Sequence, residues 1–296
     1  MIDLHLHTTA SDGAHEPEDV AARACAAGLR VIAIADHDTT AAVPRAAAAA
    51  SRLGIVCVPA LEVTTIWDGR AVHVLGYWID AGAPSLGALI QRVREARLAR
   101  AAQIVRRLAD AGAPIAFSAQ LEDAGSSGRA IARPAIARAL VAAGHATSVA
   151  DAFERLLGEG KPAYVPHAGP SPFEAISRIH AAGGIASLAH PGYSGCDGLI
   201  EPLIAAGLDA IEVFHSAHDT SAVARYQAVA ARFDVGVTGG SDFHACDDGR
   251  GRVMGGIDVP AECLTGMLAR LEGVRLRTFA GSESGSAVDF GGPVLA

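Results

Sequence analysis

Two histidines near the N-terminus are spaced so that they share one face of a strand. The run Asp3-Leu4-His5-Leu6-His7 alternates imidazole with leucine, and alternate residues of a strand point to the same side. His5 and His7 therefore face one way, and Leu4 and Leu6 face the other. Imidazoles are common metal ligands, so the spacing predicts two metal ligands at a strand end. The alternative is a surface strand with incidental histidines.

Each later predicted strand also carries a histidine or a carboxylate near its end. In a parallel barrel the C-terminal strand ends meet at one rim, where functional groups collect. A chance distribution of the 12 histidines would not produce this pattern. The groups that the pattern brings to this rim are His5, His7, Asp12, His15, Asp36, His37, Asp38, Glu62, His73, His190, Glu212, His215, Asp242 and His244.

The groups at this predicted rim are imidazoles and carboxylates, without a thiolate. Such a donor set suits Mn, Fe or Zn rather than an iron–sulfur cluster or structural zinc. The groups are too many for one ion, so we expect two or three divalent ions with a carboxylate bridging a pair. Ions about 3.5–4 Å apart hold phosphoryl oxygens and lower the pKa of a bridging water. The pattern therefore predicts phosphoester hydrolysis by a metal-bound hydroxide.

Strand and helix signals alternate along the chain, which is typical of an α/β fold. We expect a parallel sheet that is closed or nearly closed into a barrel, and seven strands instead of the usual eight indicate a distorted variant. Strands are predicted at 2–6, 31–35, 55–61, 71–78, 184–189, 210–214 and 235–238, with a short strand at 276–279 after the last helix. The predicted domains are a barrel at 1–83 and 164–281, a helical insertion at 84–163 and a tail at 282–296.

The composition indicates a globular chain without a broad basic surface. The formal charge of −8 over 296 residues argues against binding long duplex nucleic acid. Five cysteines without a Cys-x-x-Cys pair favour free thiols in a reducing compartment. Neither a secretion signal nor a membrane-spanning apolar stretch is visible. We therefore expect a cytoplasmic protein that does not bind membranes.

The combined motifs resemble the polymerase and histidinol phosphatase (PHP) family. The resemblance covers the barrel portion and rests on His5-x-His7, Asp36-His37-Asp38, Glu62, His73, His190-Pro191 and Asp242-x-His244, in the family's order. It implies a distorted (β/α)7 barrel with a trinuclear metal centre, with Mn²⁺ as the preferred ion and Fe or Zn as alternatives. The implied ligands are His5, His7, Glu62 and Asp242 for one ion, Glu62, His73 and His190 for a second, and Asp12, His37 and His244 for a third.

The helical insertion resembles one branch of this family, the 3′,5′-nucleotide bisphosphate phosphatases and the 5′→3′ exonucleases of short 5′-phosphorylated RNA. The resemblance rests on the stretches 128–134 and 160–165. Guanidinium groups and helix N-termini both bind phosphate. Arg129, Arg133 and Lys161 are therefore candidates for the non-reacting phosphate of the substrate. The alternative is that they are solvated residues of an arginine-rich chain.

Other polar residues have weaker assignments. Asp36 could support a ligand imidazole as a neighbouring carboxylate, and Asp38 could do the same or cap the next helix. His215 or His218 could contact substrate or donate a proton, and His15 could line the substrate pocket. The remaining histidines are interpreted as ordinary surface or packing residues: His145, His167 and His180.

The resemblance implies hydrolysis of the 3′-phosphate of a nucleoside 3′,5′-bisphosphate such as pAp. The first alternative is a 5′→3′ exonuclease acting on short 5′-phosphorylated RNA, which the sequence barely separates from the phosphatase. The second is an amidohydrolase that cleaves a C–N bond. Those barrels often bridge their metals with a carboxylated lysine, and the only lysine, Lys161, lies in the exit from the insertion. A histidinol phosphatase and a non-catalytic metal-binding module are further alternatives.

Overall fold

The barrel consists of seven strands in one sheet. The structure is a computed structural model, and it describes residues 1–127, 133–246 and 252–281. The strands are β1 (Ile2–Leu6), β2 (Val31–Ile34), β3 (Val56–Trp67), β4 (Arg70–Tyr77), β5 (Ile185–Leu188), β6 (Ala210–His215) and β7 (Gly236–Gly240). They neighbour one another in chain order, which is the order of a barrel wound from successive strand and helix units.

One strand runs against the others. β1, β2 and β3 are mutually parallel, as are β5, β6 and β7. The prediction of a fully parallel sheet is wrong at β4, which is antiparallel to both β3 and β5. The reason is the two-residue turn Asp68-Gly69, in which both φ angles are positive, 48° and 73°. Such a turn joins adjacent strands as a hairpin, so β4 must reverse direction.

The barrel is nearly closed where β7 approaches β1. The backbone N–H of His7 donates to the carbonyl of Phe243 over 3.0 Å, and a β-bridge joins Leu6 to Phe243. The approach depends on Gly240, because a Cβ there would lie 2.5 Å from the Cβ of His5. The end of β1 and the segment after β7 therefore share one rim.

Helices cover the outside of the barrel and fill the connection between β4 and β5. Three of them begin with a side-chain cap, since Ser148 accepts from the backbone N–H of Asp151, Ser171 from that of Glu174 and Asp219 from that of Ala222. The helices are α1 (Pro17–Ala26), α2 (Val43–Arg52), α3 (Pro84–Asp110), α4 (Ser118–Ser127), α5 (Arg133–Ala142), α6 (Val149–Ala152), α7 (Pro172–Ala181), α8 (Pro191–Ser194), α9 (Ile200–Ala205), α10 (Thr220–Phe233) and α11 (Ala261–Gly281).

The long helix α3 joins the barrel to the helical segment at 84–163. Leu86 and Leu89, in its first half, are buried in a core cluster of the barrel. Ile104 and Leu108, in its second half, are buried in a different cluster with residues of α5 and α6. No strand occurs among the described residues of this segment. The segment thus has a hydrophobic cluster of its own and is anchored to the barrel by α3.

The predicted strand at 276–279 is wrong, because α11 continues through these residues to Gly281. Cys263, Met267 and Leu271 recur at helical spacing and are buried in the same cluster as Leu4 of β1. That apolar stripe packs the helix against the barrel in the turns before the predicted strand. None of the described helices combines the length and hydropathy needed to cross a bilayer.

Candidate metal centre

The predicted ligands lie at one rim of the barrel. It is the rim where β1, β2, β5, β6 and β7 end, as expected for groups that follow parallel barrel strands. β3 contributes from its middle and β4 from its first half. The side chains that the structure brings to this rim are His5, His7, Asp12, His37, Glu62, His73, His190, Asp242 and His244.

His73 reaches this rim because β4 is reversed. The hairpin places the first half of β4 beside the second half of β3, and His73 pairs with Thr64 in the register. As a result the Nδ1 of His73 lies 2.7 Å from Oε1 of Glu62. Glu62 itself lies inside β3, whereas the sequence pattern predicted a position after the strand.

The carboxylate of Glu62 is at the centre of the cluster and is fully buried. Its Oε1 lies 2.7 Å from His73 and 3.0 Å from Nε2 of His190. Its Oε2 has three imidazole neighbours: His5 at 3.2 Å, His7 at 3.4 Å and His37 at 3.1 Å. A carboxylate within reach of five imidazoles is placed to bridge cations that those imidazoles hold.

One donor group within the cluster fits a divalent cation well. The ligand atoms of His5, His7, Glu62 and Asp242 all lie within 4.8 Å of one another. Both ring nitrogens of His7 are buried without a hydrogen-bond partner among the described residues. Leaving such a group unsatisfied costs roughly 1–3 kcal/mol, and a bound cation would satisfy it. The same four residues form the ligand set that the family resemblance implies for one ion.

Three further donor groups adjoin the first. One contains His7, Asp12, His37 and His244, the second contains His37, Glu62 and His73, and the third contains His5, Glu212 and His215, each with ligand atoms within 4.8 Å. His190 joins the second through its contact with Glu62. Because the groups share members, the rim is one continuous donor cluster with room for more than one ion.

Glu212 orients two of the candidate ligands. Its Oε1 accepts the Nδ1–H of His5 at 2.8 Å, and its Oε2 accepts the backbone N–H of His190 at 2.8 Å. With the proton of His5 on Nδ1, the lone pair of Nε2 faces Glu62 and Asp242. A buried carboxylate in this position fixes the tautomer of a ligand histidine and raises its basicity.

The two carboxylate oxygens of Asp242 have different neighbours. Its Oδ1 lies 3.1 Å from Nε2 of His7, whereas its Oδ2 lies 2.7 Å from Nη2 of Arg252 and 3.4 Å from Nε2 of His215. Nδ1 of His244 lies 2.8 Å from the carbonyl of Asp242 and 3.0 Å from Nη1 of Arg252, and its Nε2 lies 3.2 Å from Oδ1 of Asp12. Arg252 therefore holds one oxygen of Asp242 and directs the other toward His5 and His7.

Backbone strain is concentrated at this rim. Asp38, His190 and Asp242 have φ angles of 53°, 28° and 54°, a region that L-residues other than Asn and Asp rarely adopt. Strain of this kind costs on the order of 1–3 kcal/mol per residue and is found mostly at functional sites. His190 is the clearest case, because no intrinsic preference favours it there.

The buried carboxylate and imidazoles of the cluster have pKa values shifted from their usual ones. Burial would raise the pKa of Glu62, but the imidazoles of His37 and His73 outweigh burial and hold this pKa well below its usual range. Burial lowers the pKa of His37 to about 3, against the opposing effect of Glu62. Burial would also lower the pKa of His5, but Glu212 and Glu62 raise it well above its usual value. The carboxylate of Glu62 is thus ionised at neutral pH, and a cation that binds Nε2 of His5 would compete with a proton at that atom.

Asp36 and Asp38 hold loops near the rim in place. Asp36 accepts from the backbone N–H and the hydroxyl of Thr8, both at 2.7 Å, and from the hydroxyl of Ser11 at 2.5 Å. It therefore fixes the loop that carries Asp12. Asp38 accepts from the backbone N–H of Thr64 at 2.7 Å and pairs with Arg97 at 2.6 Å. The suggestion that Asp38 caps the next helix is wrong, since no side chain caps α2.

The two histidines after β6 have different environments. His215 is buried, and its Nδ1 accepts the backbone N–H of Ala217 at 3.0 Å, so neutral His215 carries its proton on Nε2, facing Asp242. In His218 both nitrogens are engaged by backbone: Nδ1 lies 2.8 Å from the carbonyl of Val213, and Nε2 accepts from Gly192 at 3.1 Å. Nε2 of His215 therefore faces a candidate ligand, whereas both nitrogens of His218 face backbone groups, and neither histidine is among the residues that line the cavity beside the cluster.

A cavity of about 550 Å³ opens beside the donor cluster. This is a typical size for a small-molecule site. Its floor contains candidate ligands from the rim, and its walls come from the helical segment and the chain that follows it. Its lining includes Asp12, His37, His73, His190, Tyr193, Arg97, Arg100, Arg133, Phe153 and His167.

The wall formed by the helical segment is strongly positive. Within the described residues no carboxylate pairs with Arg100 or Arg133, and Nη2 of Arg100 is buried without a hydrogen-bond partner. Burial, together with repulsion from Arg133, lowers the pKa of Arg100 to about 10. Burial and the charges of the same arginines lower the pKa of His167 to about 3. Positive groups that lack counter-ions beside a cavity indicate an anion-binding site.

The predicted substrate-binding residues do not all line the cavity. Arg133 lines the cavity and lies over the ring of Phe153 at 5.4 Å. Arg129 lies outside the described residues. Lys161 and His15 do not line this cavity: Lys161 is exposed in a turn, and His15 stacks on Phe243 with ring centroids 5.9 Å apart. Their placement on those surfaces, away from the arginines, argues against a role in binding the same phosphate.

Sequence reasoning missed part of the cavity wall. Arg97 and Arg100 lie on α3 three residues apart, a spacing that places them on one helix face, but the spacing alone does not indicate that this face meets the rim. His167 was interpreted as an ordinary histidine but lines the cavity. It follows the helical segment, and no local pattern reveals that the chain folds back to the rim there.

The sequence profile of the PHP domain matches residues 3–111. The chain is 38% identical to the 3′,5′-nucleoside bisphosphate phosphatase of Chromobacterium violaceum, and the match covers 88% of this chain and 93% of that protein. It is 37% identical to the 5′-3′ exoribonuclease of Haemophilus influenzae, with 82% of this chain and 89% of that protein covered.

Two solved structures resemble the whole fold. A predicted metal-dependent phosphoesterase of Bifidobacterium adolescentis has a TM-score of 0.80 at 33% identity, covering 91% of this chain and 96% of that one. A protein of Chromobacterium violaceum described as an amidohydrolase, with sulfate bound and no metal, has a TM-score of 0.80 at 36% identity, covering 92% of this chain and 96% of that one.

Proposed function

The chain belongs to the PHP family, and from that premise we propose that it removes the 3′-phosphate from nucleoside 3′,5′-bisphosphates in a metal-dependent hydrolysis. The observation that carries the proposal is the position of the donor cluster beside a cavity whose other wall is lined by unpaired arginines. A substrate with two phosphates can occupy both. The 38%-identical bisphosphate phosphatase supports this choice of substrate.

We assign two or three divalent ions to the cluster, with Mn²⁺ preferred because the donors are imidazoles and carboxylates. His5, His7, Glu62 and Asp242 would hold one ion, and Glu62 would bridge to the ion of His73 and His190. A third ion would take Asp12, His37 and His244. When bound, such ions supply Lewis acidity that activates water and neutralises phosphoryl oxygens. We place the protein in the cytoplasm, where its thiols remain reduced.

The protein groups around the cluster orient and shield the reacting phosphate. Glu212 keeps His5 in the tautomer that frees Nε2, and Arg252 keeps Asp242 turned toward His5 and His7. Neutral His215 presents an Nε2–H at the edge of the cluster, where it can donate a hydrogen bond to a phosphoryl or ribose oxygen. Its burial excludes water from that side, which strengthens the interaction.

The second phosphate would bind to the positive wall. Arg100 and Arg133 offer guanidinium donors without counter-ions, and Arg133 is the first residue of α5, whose N-terminal N–H groups also favour an anion. Arg97 is less available because Asp38 already pairs with it. In this proposal the helical segment at 84–163 covers the active site. It selects substrates whose second phosphate lies at the right distance from the reacting one.

An exonuclease on short 5′-phosphorylated RNA is the second candidate. The 37%-identical exoribonuclease favours it, and its chemistry needs the same ions and the same arginines. C–N bond cleavage has less support: Lys161, the only lysine, is exposed outside the cavity, so no carboxylated lysine can bridge metals here. The structure described as an amidohydrolase leaves this alternative to experiment.

One assay tests the proposal. Protein reconstituted with Mn²⁺ is incubated with pAp and, separately, with a 5′-phosphorylated diribonucleotide, and both inorganic phosphate and nucleotides are quantified. The expected result is inorganic phosphate and 5′-AMP from pAp. Efficient release of mononucleotides from the dinucleotide with little phosphate from pAp would favour the exonuclease, and absence of both products would contradict phosphoester hydrolysis.

A further inference from the structure

We propose that Tyr193 is the platform on which the nucleobase of the substrate stacks. The proposal rests on the proposed function and adds a base-recognising residue to it. The groups assigned above bind the phosphates and the ions, so the base of the substrate still lacks a binding residue.

Tyr193 presents an unusually exposed aromatic ring to the cavity. It is 64% exposed, and it lines the cavity between the donor cluster and the positive wall. Within the described residues its hydroxyl has no hydrogen-bond partner. Water contact of this extent is unfavourable for an aromatic surface, and a planar ligand would remove it.

The position of Tyr193 is fixed by the candidate ligand His190. The short helix α8 begins immediately after His190, and Nδ1 of His190 lies 3.2 Å from the hydroxyl of Ser194. The rings of His190 and Tyr193 are perpendicular, 89° apart in plane and 5.6 Å apart in centroid. A perpendicular contact engages at most one face of the tyrosine ring, so a face remains open for stacking.

The other described aromatic rings are less suitable. Phe153 lines the cavity, but Arg133 covers its ring at 5.4 Å. Trp67 is exposed, but it lies at the end of the β3–β4 hairpin against Phe173 and does not line the cavity. Among the lining residues that the structure describes, Tyr193 is thus the aromatic ring with both exposure and an open face.

The location also matches the shape of a nucleoside 3′,5′-bisphosphate. Its two phosphates would lie at the donor cluster and at Arg100 and Arg133, with the ribose between them. Tyr193 borders both ends, since its ring contacts His190 and it lines the same cavity as Arg133. A base attached to that ribose has the Tyr193 ring within its reach, and stacking tolerates any base.

The test compares substrates with and without a base. Wild type, Tyr193→Phe and Tyr193→Ala are assayed for phosphate release from pAp and from 1-deoxyribose 3,5-bisphosphate, which lacks only the base. Stacking on an aromatic residue contributes enough that its removal should lower kcat/KM for pAp roughly 5- to 150-fold in Tyr193→Ala. Tyr193→Phe should retain most of the activity, and the baseless substrate should discriminate little among the three proteins.

Three results would overturn the inference. These are an equal loss with both substrates in Tyr193→Ala, a loss in Tyr193→Phe as large as in Tyr193→Ala, or no loss with pAp in either variant. The first assigns Tyr193 a structural role, the second assigns the role to its hydroxyl, and the third removes it from recognition. Each leaves the proposed function intact, because that function fails only if the wild type releases no phosphate from pAp.

Discussion

Replacing Glu62 by glutamine is expected to lower kcat/KM for pAp by roughly 10³-fold or more. The amide keeps the size of the side chain but removes the charge that faces five imidazoles. Metal ions contribute several kcal/mol to transition-state stabilisation, and each ~1.4 kcal/mol is a factor of ten. Loss of the bridging charge should weaken the binding of both ions that Glu62 would bridge. Steady-state kinetics at saturating Mn²⁺ measure the effect.

The matched control for this variant is Glu18→Gln. Glu18 is a half-buried glutamate paired with Arg45 and belongs to none of the donor groups, so its replacement should leave kinetics and metal content unchanged. Far-UV circular dichroism of the metal-free proteins checks that Glu62→Gln folds. Near-normal turnover in correctly folded Glu62→Gln would show that this carboxylate does not bridge the ions.

Replacing Arg133 by alanine is expected to raise KM for pAp by roughly 10- to 100-fold, with a smaller effect on kcat. A hydrogen bond between charged partners contributes about 1.5–3 kcal/mol, and the phosphate that Arg133 would bind does not react. The effect should depend on that phosphate. With 3′-AMP, which lacks the 5′-phosphate, Arg133→Ala and wild type should have similar kcat/KM.

Arg138→Ala provides the control on the same helix. Arg138 is exposed on α5 and does not line the cavity, so its loss should not alter KM for either substrate. If Arg133→Ala had the KM of the wild type for pAp, the positive wall would not bind the second phosphate through this residue. A loss of equal size with 3′-AMP would indicate a defect in folding or metal binding instead.

The convergence of ligands at one rim could be predicted from the sequence because strand periodicity and strand order carry it. Two features are sufficient for this prediction. One is the alternation around His5 and His7, and the other is the position of His37, His190 and Asp242 after apolar runs. The Asp68-Gly69 dipeptide between the third and fourth strands is a further signal, because such a turn favours a hairpin and therefore an antiparallel β4. The reversal of β4 explains why His73 reaches the rim from the first half of its strand.

The cavity wall could not be predicted in the same way because it depends on long-range packing. Arg100 reaches the cavity only because α3 extends from the barrel core into a second hydrophobic cluster. His167 is placed by the chain that returns from that cluster, and Arg100 fixes this return through a hydrogen bond of 2.9 Å to the carbonyl of Val165. Neither interaction leaves a periodic pattern in the sequence. Helix α11 is likewise held on the barrel by long-range packing, through Cys263, Met267 and Leu271.

We expect the rim to hold a cluster of metal ions, and the number of ions bound per chain tests this expectation. Metal-free protein is reconstituted with Mn²⁺ and freed of excess ion, and its metal content is measured by inductively coupled plasma mass spectrometry. The donor groups at the rim predict two or three ions per chain, with phosphate release from pAp returning as they bind. A chain that retains no ion, or that hydrolyses pAp equally well without one, would contradict the account.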